Sequence, residues 1–346
     1  MLAAINYVPL LRTKPAEVTA FHTLSGVEKA ATFPLFLSKP WQNANHFQKT
    51  IDKVKGAVGT IPFAFGIDRE FRGGAAKQPA QSEFDALFDA TQGFAAYYEC
   101  LEGIGNAVPI FVGGGNADQV LMQLGQADTL GRGLIVRFTR EEITPILNLA
   151  GSIPPLPHDT VFVVDAGWHR DILQLQQWSI ATVQRVLAAL PDAEIVVMAS
   201  SFPDSFSSIV GHGEVTLHEP SVYSVVRASF NEARMIYGDW ATTRPPQSGG
   251  GGTIPPRIDI PMIGSCNVFR ADLDMSETYA DMASLAASHE CFETVPNCYG
   301  RTLIESTHDG AGITGTQRAT EARINIHMAK HSAPGIAVGT EEDYVD

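Results

Sequence analysis

The chain has 346 residues, of which 45% are hydrophobic and 18% charged, and its formal net charge at pH 7 is −14. This composition is typical of a soluble globular protein and excludes collagen-like, disulfide-rich and wholly disordered classes. The apolar runs are too short for a membrane-spanning helix, and a strongly acidic chain repels phosphate backbones. We therefore expect no membrane association and no general nucleic-acid binding. Four scattered cysteines indicate free thiols and a cytoplasmic location.

Short runs of β-branched and aromatic residues recur along the chain, and each is followed by a stretch with helical periodicity. The predicted strands are Tyr7–Leu11, Thr32–Leu37, Ile61–Ile67, Val108–Val112, Leu134–Phe138, Thr160–Val164, Glu194–Ala199 and Met235–Tyr237. Their cores are apolar on both faces, which is typical of parallel strands covered by helices. The pattern predicts an α/β fold, a (β/α)8 TIM-barrel-like single domain over residues 1–332 with a C-terminal extension. The alternative is an open doubly wound parallel sheet.

Several segments depart from this alternation. Residues 211–234 are long enough for a short strand and a helix between the last two predicted strands. Residues 241–256 contain four consecutive glycines between proline pairs, which predicts a flexible loop that either closes over the barrel as a lid or stays disordered. Residues 257–271 alternate like a β-hairpin, and a terminal helix capped by Ser276 is expected after it. Residues 333–346 form an acidic tail.

Polar side chains follow the predicted strands, and in a barrel these positions share one mouth. Asp68, Asp165 and Asp239 are the candidate catalytic residues, because carboxylates facing each other across a mouth can divide acid and base roles or bind a divalent metal. Charged residues at strand ends are also common for purely structural reasons, and a barrel-lining ion pair of Arg137 with an aspartate is the alternative. No metal or other cofactor is expected.

Cations and aromatic residues at the same strand ends suggest binding of a small anionic ligand. The candidate ligand-binding residues are Arg12, Lys14, Arg137, Trp168 and Trp240. The sequence GGGN at 113–116 is a further candidate, since glycine-rich turns at a helix start can cradle a phosphate. It lacks the lysine of a P-loop and the spacing of a dinucleotide site, and a tight strand-to-helix turn explains it equally well.

Several segments resemble the beta protein family of phages and bacteria. The opening YVPLLRTKPAE is similar to the family's start, TFPLFL to its next strand, and VFVVDAG and MIYGDWATT to its later strands that end in aspartate. RIDIPMIGSCNVFR is similar to the segment that follows. Arg12 stands where the family often has lysine. The residues that match the family's pattern are Tyr7, Pro9, Arg12, Lys14, Glu17, Asp165, Asp239 and Arg257.

The resemblance implies a phage, prophage or defence-associated protein with a barrel-like fold. The family's namesake lies beside a toxic gene and counteracts its product, so the resemblance implies an antitoxin or immunity role. The expected partner is accordingly another protein, with the product of a neighbouring toxic gene as the first candidate. An acidic surface suits a basic partner.

Two interpretations of the function remain open. In the first, the chain is a regulator that acts by binding a protein. In the second, it is a barrel enzyme of hydrolase type, or a sensor of a nucleotide or another anion, that uses the carboxylates at the mouth. Closed ion pairs at the mouth favour the first interpretation, and an open pocket with unpaired charges favours the second.

Overall fold

The computed structural model describes residues 2–71, 78–140, 156–244, 254–272 and 275–333. In this part of the chain the strands are β1 (Tyr7–Arg12), β2 (Leu35–Ser38), β3 (Phe63–Ile67), β4 (Ala107–Pro109), β5 (Leu134–Phe138), β6 (Thr160–Trp168), β7 (Glu194–Ser200), β8 (Gly211–Thr216), β9 (Met235–Asp239), β10 (Arg257–Pro261) and β11 (Ser265–Arg270).

The helices of the same part of the chain lie mostly between successive strands. They are α1 (Pro15–His22), α2 (Gly26–Ala30), α3 (Gln48–Val58), α4 (Pro79–Ala86), α5 (Ala95–Glu102), α6 (Ala117–Leu130), α7 (Ile172–Ala189), α8 (Glu219–Ser229), α9 (Tyr279–Ala287), α10 (Tyr299–His308) and α11 (Thr316–Ser332). A short 3-10 helix covers Glu290–Thr294. Of the helices described, none is both long enough and apolar enough to cross a bilayer.

Eight parallel strands form one sheet in the order β4-β3-β2-β1-β9-β7-β6-β5. The two edge strands of this order meet through a parallel bridge between Ile110 and Ile135, where Phe111 N donates to Ile135 O at 2.7 Å. The sheet is thereby almost closed into a barrel, which confirms the predicted TIM-barrel-like α/β fold over the open-sheet alternative. The eight strands coincide with the predicted runs to within a few residues.

A second sheet is built from the inserted segments. β10, β11 and β8 pair antiparallel in that order. The predicted hairpin, β10 with β11, therefore pairs with β8, which is the strand predicted between β7 and β9. Phe202, Phe206, Cys266 and Val268 form a small apolar cluster with this sheet. Most of the loop at 241–256 and the acidic tail lie outside the described residues.

The C-terminal helices differ from the prediction. The helix expected after Ser276 begins at Tyr279, and its cap is Thr278, whose side chain accepts from Asp281 N. It is followed by α10 and α11, so it is not the terminal helix. α11 is buried along most of its length although it is rich in polar residues. Its sequence carries no apolar stripe, so hydrophobic periodicity does not predict a helix here.

The pleat of the strands divides the core into two layers. Val8 and Leu10 of β1 point into the barrel and belong to its interior cluster, whereas Tyr7 and Leu11 belong to the larger layer between the strands and the helices. Because side chains alternate along a strand, every residue at a strand end is assigned to one of these two layers by its position in the pleat.

Gly238 gives a test of the barrel interior. A Cβ at this position would lie 2.7 Å from Val8 O and 3.0 Å from Met198 Cε, so a larger residue overpacks the barrel. We expect Gly238→Ala to lower the free energy of unfolding by about 1–3 kcal/mol in denaturant titrations.

The matched control is Gly125→Ala on α6, where an added Cβ meets no atom within 4 Å. Alanine is the better helix former, so this variant should gain about 0.5–1 kcal/mol. Equal effects of the two substitutions would contradict the close packing inferred at Gly238.

Candidate functional site

An ion pair between Arg137 and Asp165 lies at the C-terminal mouth of the barrel. Arg137 shares the inward parity of Ile135, and Asp165 that of Val161 and Val163. Arg137 Nε and Nη2 both donate to Asp165 Oδ2, at 2.9 and 2.6 Å. The Asp165 side chain is fully buried. Such a pair satisfies a charge that would be costly to bury alone.

Asp165 has two further donors. Trp240 Nε1 lies 3.0 Å from Oδ1 and 3.2 Å from Oδ2, and Gly167 N donates to Oδ1 at 2.9 Å. Both carboxylate oxygens are therefore engaged inside the protein. This carboxylate is held in place by its neighbours and is poorly suited to take part in proton transfer.

A second ion-paired group joins β1 to the segment after β3. Arg12 Nη2 donates to Glu70 Oε2 at 2.7 Å, and Arg12 Nε lies 3.4 Å from Asp68 Oδ2. The guanidinium also lies over the ring of Trp240, 5.1 Å from its centroid. Arg12 thus compensates two carboxylates and contacts the indole that binds Asp165.

A cavity of about 600 Å³ opens above these pairs. Its charged lining consists of Asp68, Arg69, Glu70, Arg137 and Arg140, and Trp168 and Trp240 supply the aromatic walls. Trp168 Nε1 donates to Phe202 O at 2.7 Å, which fixes the plane of its ring. A cavity of this size at this end of a barrel suits a small-molecule ligand.

The glycine-rich turn after β4 does not offer a free helix start. Asn116 accepts from Gln119 N at 3.0 Å, and the Gln119 side chain accepts from Asn116 N at 2.9 Å, so α6 is capped by its own residues. Gly113 borders the cavity, and its carbonyl oxygen accepts a hydrogen bond from Arg69 Nη1. The turn therefore positions an arginine, and phosphate binding by its amides is not favoured.

Lys14 does not line the cavity that Arg137, Trp168 and Trp240 line. It borders a separate cavity of about 740 Å³ together with Lys39 and Trp41. Its Nζ lies 3.5 Å from Glu17 Oε1. The structure therefore separates Lys14 from Arg137, Trp168 and Trp240, which were expected at one mouth.

Asp239 also differs from the expectation, because it points away from the barrel interior. It precedes the inward-facing Trp240 in the pleat and lies between β9 and α11. Tyr7 Oη and Ala241 N donate to its Oδ1, the latter at 2.8 Å. Tyr237 Oη donates to Oδ2 at 2.7 Å, and His327 Nε2 lies 2.7 Å from the same oxygen.

This environment controls the ionisation of Asp239. Burial alone raises the pKa of a carboxyl group, yet the charge and hydrogen bond of His327, with a smaller effect of Tyr7, hold the pKa of Asp239 below its usual value. Burial, together with the charge of Asp239, raises the pKa of both Tyr7 and Tyr237, which therefore remain donors.

His331 completes this cluster one helical turn after His327. Its ring lies 4.3 Å from that of His327, 5.0 Å from Tyr237 and 5.2 Å from Tyr7, measured between centroids. Burial, and next the neighbouring His327, lower the pKa of His331 to about 3. The imidazole is therefore neutral at physiological pH.

Asp239, His327 and His331 offer ligand atoms that lie within 4.8 Å of one another, a spacing compatible with a metal ion. The carboxylate, however, already interacts with four donors, and aromatic rings pack against both imidazoles. Tyr7, Tyr237 and His327 therefore form a buried hydrogen-bonded network around Asp239, whereas Nδ1 of His327 and Nδ1 of His331 are buried without a hydrogen-bond partner in the part of the chain that the structure describes.

The sequence interpretation missed several residues of the site. Glu70 lies two residues after the predicted candidate Asp68, and Arg140 follows β5 by two residues. These positions could have been found by extending the list of strand-end residues a little further along each loop. His327 and His331 lie on α11, far from any strand end, and the available signal for them is their spacing of four residues, which places both on one face of a helix.

The nearly closed parallel barrel, with helices outside and charged groups at the carboxyl ends of its strands, defines a TIM-barrel-like α/β protein. A family model described as Beta protein matches residues 7–333, and the chain belongs to this family. A curated relative is Protein beta of Enterobacteria phage P4, which is 23% identical over 338 residues. The match covers 94% of this chain and 92% of that protein.

The ion pair at the mouth is tested by Asp165→Asn. Loss of the charge removes the buried ion pair with Arg137, so we expect the free energy of unfolding to fall by about 3 kcal/mol. The double variant Arg137→Met with Asp165→Leu removes both charges and should be more stable than Asp165→Asn in the same denaturant titration. If the double variant were less stable than Asp165→Asn, the ion pair would not be the main contribution of Asp165 to the stability of the fold.

The buried imidazole of His331 predicts a pH dependence. Its folded-state pKa of about 3 lies below the ordinary value of 6.5, so the unfolded chain binds a proton that the folded chain does not. The contribution of the neutral His331 to the free energy of unfolding is complete above about pH 6.5. It is lost progressively as the pH falls towards 3, with a slope of up to about 1.4 kcal/mol per pH unit.

Replacement of His331 by phenylalanine should reduce this slope, because the unfolded chain then gains no proton at this position. The exposed His22→Phe is the control and should leave the slope unchanged. Stability measured by urea titration between pH 4 and 7 gives both slopes. An unchanged slope in His331→Phe would contradict the buried, neutral state of this residue.

Proposed function

We propose that this Beta protein family member is a regulator of the immunity type that acts by binding another protein. The observation that supports this is the state of the three candidate catalytic carboxylates. Asp165 is bound by Arg137 and Trp240, Asp239 by Tyr7, Tyr237 and His327, and Asp68 lies beside Arg12. Carboxylates held in this way fix a fold more readily than they transfer protons.

The charge of the chain favours a basic partner. A formal net charge of −14 produces a negative potential that attracts a positively charged surface and steers its approach. The family resemblance makes the product of a toxic neighbouring gene the first candidate. Association with it should weaken at high ionic strength, because salt screens charges at a surface.

The alternative is a barrel enzyme or ligand sensor. Its hydrolase form has less support, because Asp165 and Asp239 do not face each other across the mouth. Its ligand-binding form is supported by the cavity above the ion pairs, and this form is compatible with a regulatory role.

Co-expression tests the proposed function. We expect the chain to restore growth of cells that express the toxic neighbouring gene, and the two purified proteins to form a complex in size-exclusion chromatography with light scattering. Asp68→Asn, which removes the candidate acid or base nearest the cavity, should restore growth as the wild type does.

Melting temperatures of the variants verify that each is folded. A chain that neither restores growth nor forms the complex would refute the proposal. A folded Asp68→Asn variant that fails to restore growth while still forming the complex would instead support the enzyme alternative.

A further inference from the structure

The cavity that Lys14 borders, of about 740 Å³, opens at the carboxyl ends of the first three barrel strands. The segments that follow β1, β2 and β3 line it, together with the first turns of α4 and α11. It shares no lining residue with the cavity above the ion pairs. Loops at this end of a parallel barrel are where TIM-barrel proteins bind their ligands.

The charged groups on the wall of this cavity are positive. Lys14 and Lys39 line it, and among the residues that the structure describes no carboxylate does. Lys14 Nζ lies 3.5 Å from Glu17 Oε1, at the far limit of an ion pair. Lys39 Nζ lies 5.2 Å from the centroid of the Phe71 ring, and within the described chain no carboxylate approaches it to 4 Å. The chain as a whole is acidic, so this wall is a local exception.

The two lysines repel each other. Burial, and next the like charge of Lys14, lower the pKa of Lys39, with a smaller effect of Arg12 in the same direction. Asp68 and Glu17 act in the opposite direction. Both ammonium groups remain accessible to solvent. An anion in the cavity can therefore reach them and would offset their repulsion.

The backbone that carries Lys39 is fixed by two threonines. Thr13 Oγ1 donates to Lys39 O at 2.9 Å and accepts from Lys39 N at 2.8 Å. Thr50 Oγ1 donates to the same carbonyl at 3.1 Å and accepts from Trp41 N at 2.7 Å. The segment that presents Lys39 and Trp41 to the cavity is thus ordered before a ligand arrives, which lowers the entropic cost of binding.

The uncharged part of the wall fits a heterocyclic ring. Trp41 and Phe71 supply aromatic surface, and the indole of Trp41 is half-buried. Aromatic side chains stack on nucleobases of any sequence. Amide side chains, which can donate to and accept from the edge of a base, line the same cavity at exposed positions: Gln42, Asn43, Asn45 and Gln78.

We propose that this cavity binds a nucleoside monophosphate, with Lys14 and Lys39 contacting the phosphate and Trp41 stacking on the base. Two lysines match the charge of a phosphate monoester at neutral pH. The volume accommodates a mononucleotide, whereas the net charge of −14 disfavours a long nucleic acid. This site is independent of the proposed protein-binding role, and either can hold without the other.

Isothermal titration and tryptophan fluorescence of the full chain test the site. The probes are the monophosphates of adenosine, guanosine, cytidine and uridine, the four corresponding nucleosides, and ribose 5-phosphate. We expect saturable binding of at least one mononucleotide, with a change in tryptophan fluorescence. It should bind more tightly than its own nucleoside, which lacks the phosphate, and than ribose 5-phosphate, which lacks the base.

Lys39→Met tests the phosphate contact. It should weaken binding of the preferred mononucleotide by about tenfold or more, because a charge-assisted hydrogen bond is lost. Methionine keeps an apolar stem against Phe71, so the variant should melt no earlier than the wild type. Lys14→Met should act in the same direction. The matched control is Lys53→Met, since this exposed lysine lies 5.8 Å from the centroid of the Trp41 ring but does not line the cavity.

Trp41→Leu tests the stacking contact. It should weaken binding of the mononucleotide by about tenfold or more and abolish the fluorescence change. Trp168→Phe is its control, because Trp168 lines the cavity above the ion pairs. This control should keep both the affinity and the fluorescence change.

Unaltered binding in Lys39→Met, or an equal loss in Lys53→Met, would overturn the assignment. A fluorescence change that disappears in Trp168→Phe and persists in Trp41→Leu would place the ligand in the other cavity and overturn it as well. So would the absence of binding of every mononucleotide at millimolar concentration. Complex formation with a protein partner is measured separately, so failure of this site and failure of the proposed function are distinguishable.

Discussion

The fold depends on the compensation of one buried carboxylate. An ionised group shielded from water is tolerated only when donors surround it, and Asp239 receives them from three elements of the chain. Tyr7 belongs to the first barrel strand, Tyr237 to the last, and His327 to the final helix. The hydrogen bonds that stabilise this charge therefore also join the beginning of the barrel to its end and attach α11 across the junction.

The pleat of β9 connects this network to the mouth. Because consecutive side chains point to opposite faces, Asp239 faces the helices and Trp240 faces the interior. Trp240 donates to Asp165 and lies beneath the guanidinium of Arg12. Two adjacent residues thus stabilise both layers of the barrel. A change that shifts β9 by one residue would exchange the layers, so that Asp239 would lose its donors and Asp165 would lose the indole of Trp240.

Much of the fold follows from local pattern, but the burial of α11 does not. Apolar strands and turn residues predict the eight barrel strands, and the parity of β9 predicts the outward position of Asp239 once Trp240 is placed inside. α11 is polar and nevertheless buried, because its side chains have partners far away in the chain. Arg323 donates to Asp259 at 2.8 Å, and Asn325 donates to Ala20 O at 2.9 Å. Such partners cannot be read from periodicity.

The compensated charges at the mouth have a consequence for binding. The ion pair of Arg137 with Asp165 joins two neighbouring strands, and the contact of Arg12 with Glu70 joins β1 to the segment after β3. Because Trp240 donates to Asp165 and lies under the guanidinium of Arg12, the same contacts also position an aromatic wall of the cavity. Side chains that are restricted before a ligand arrives lower the entropic cost of binding.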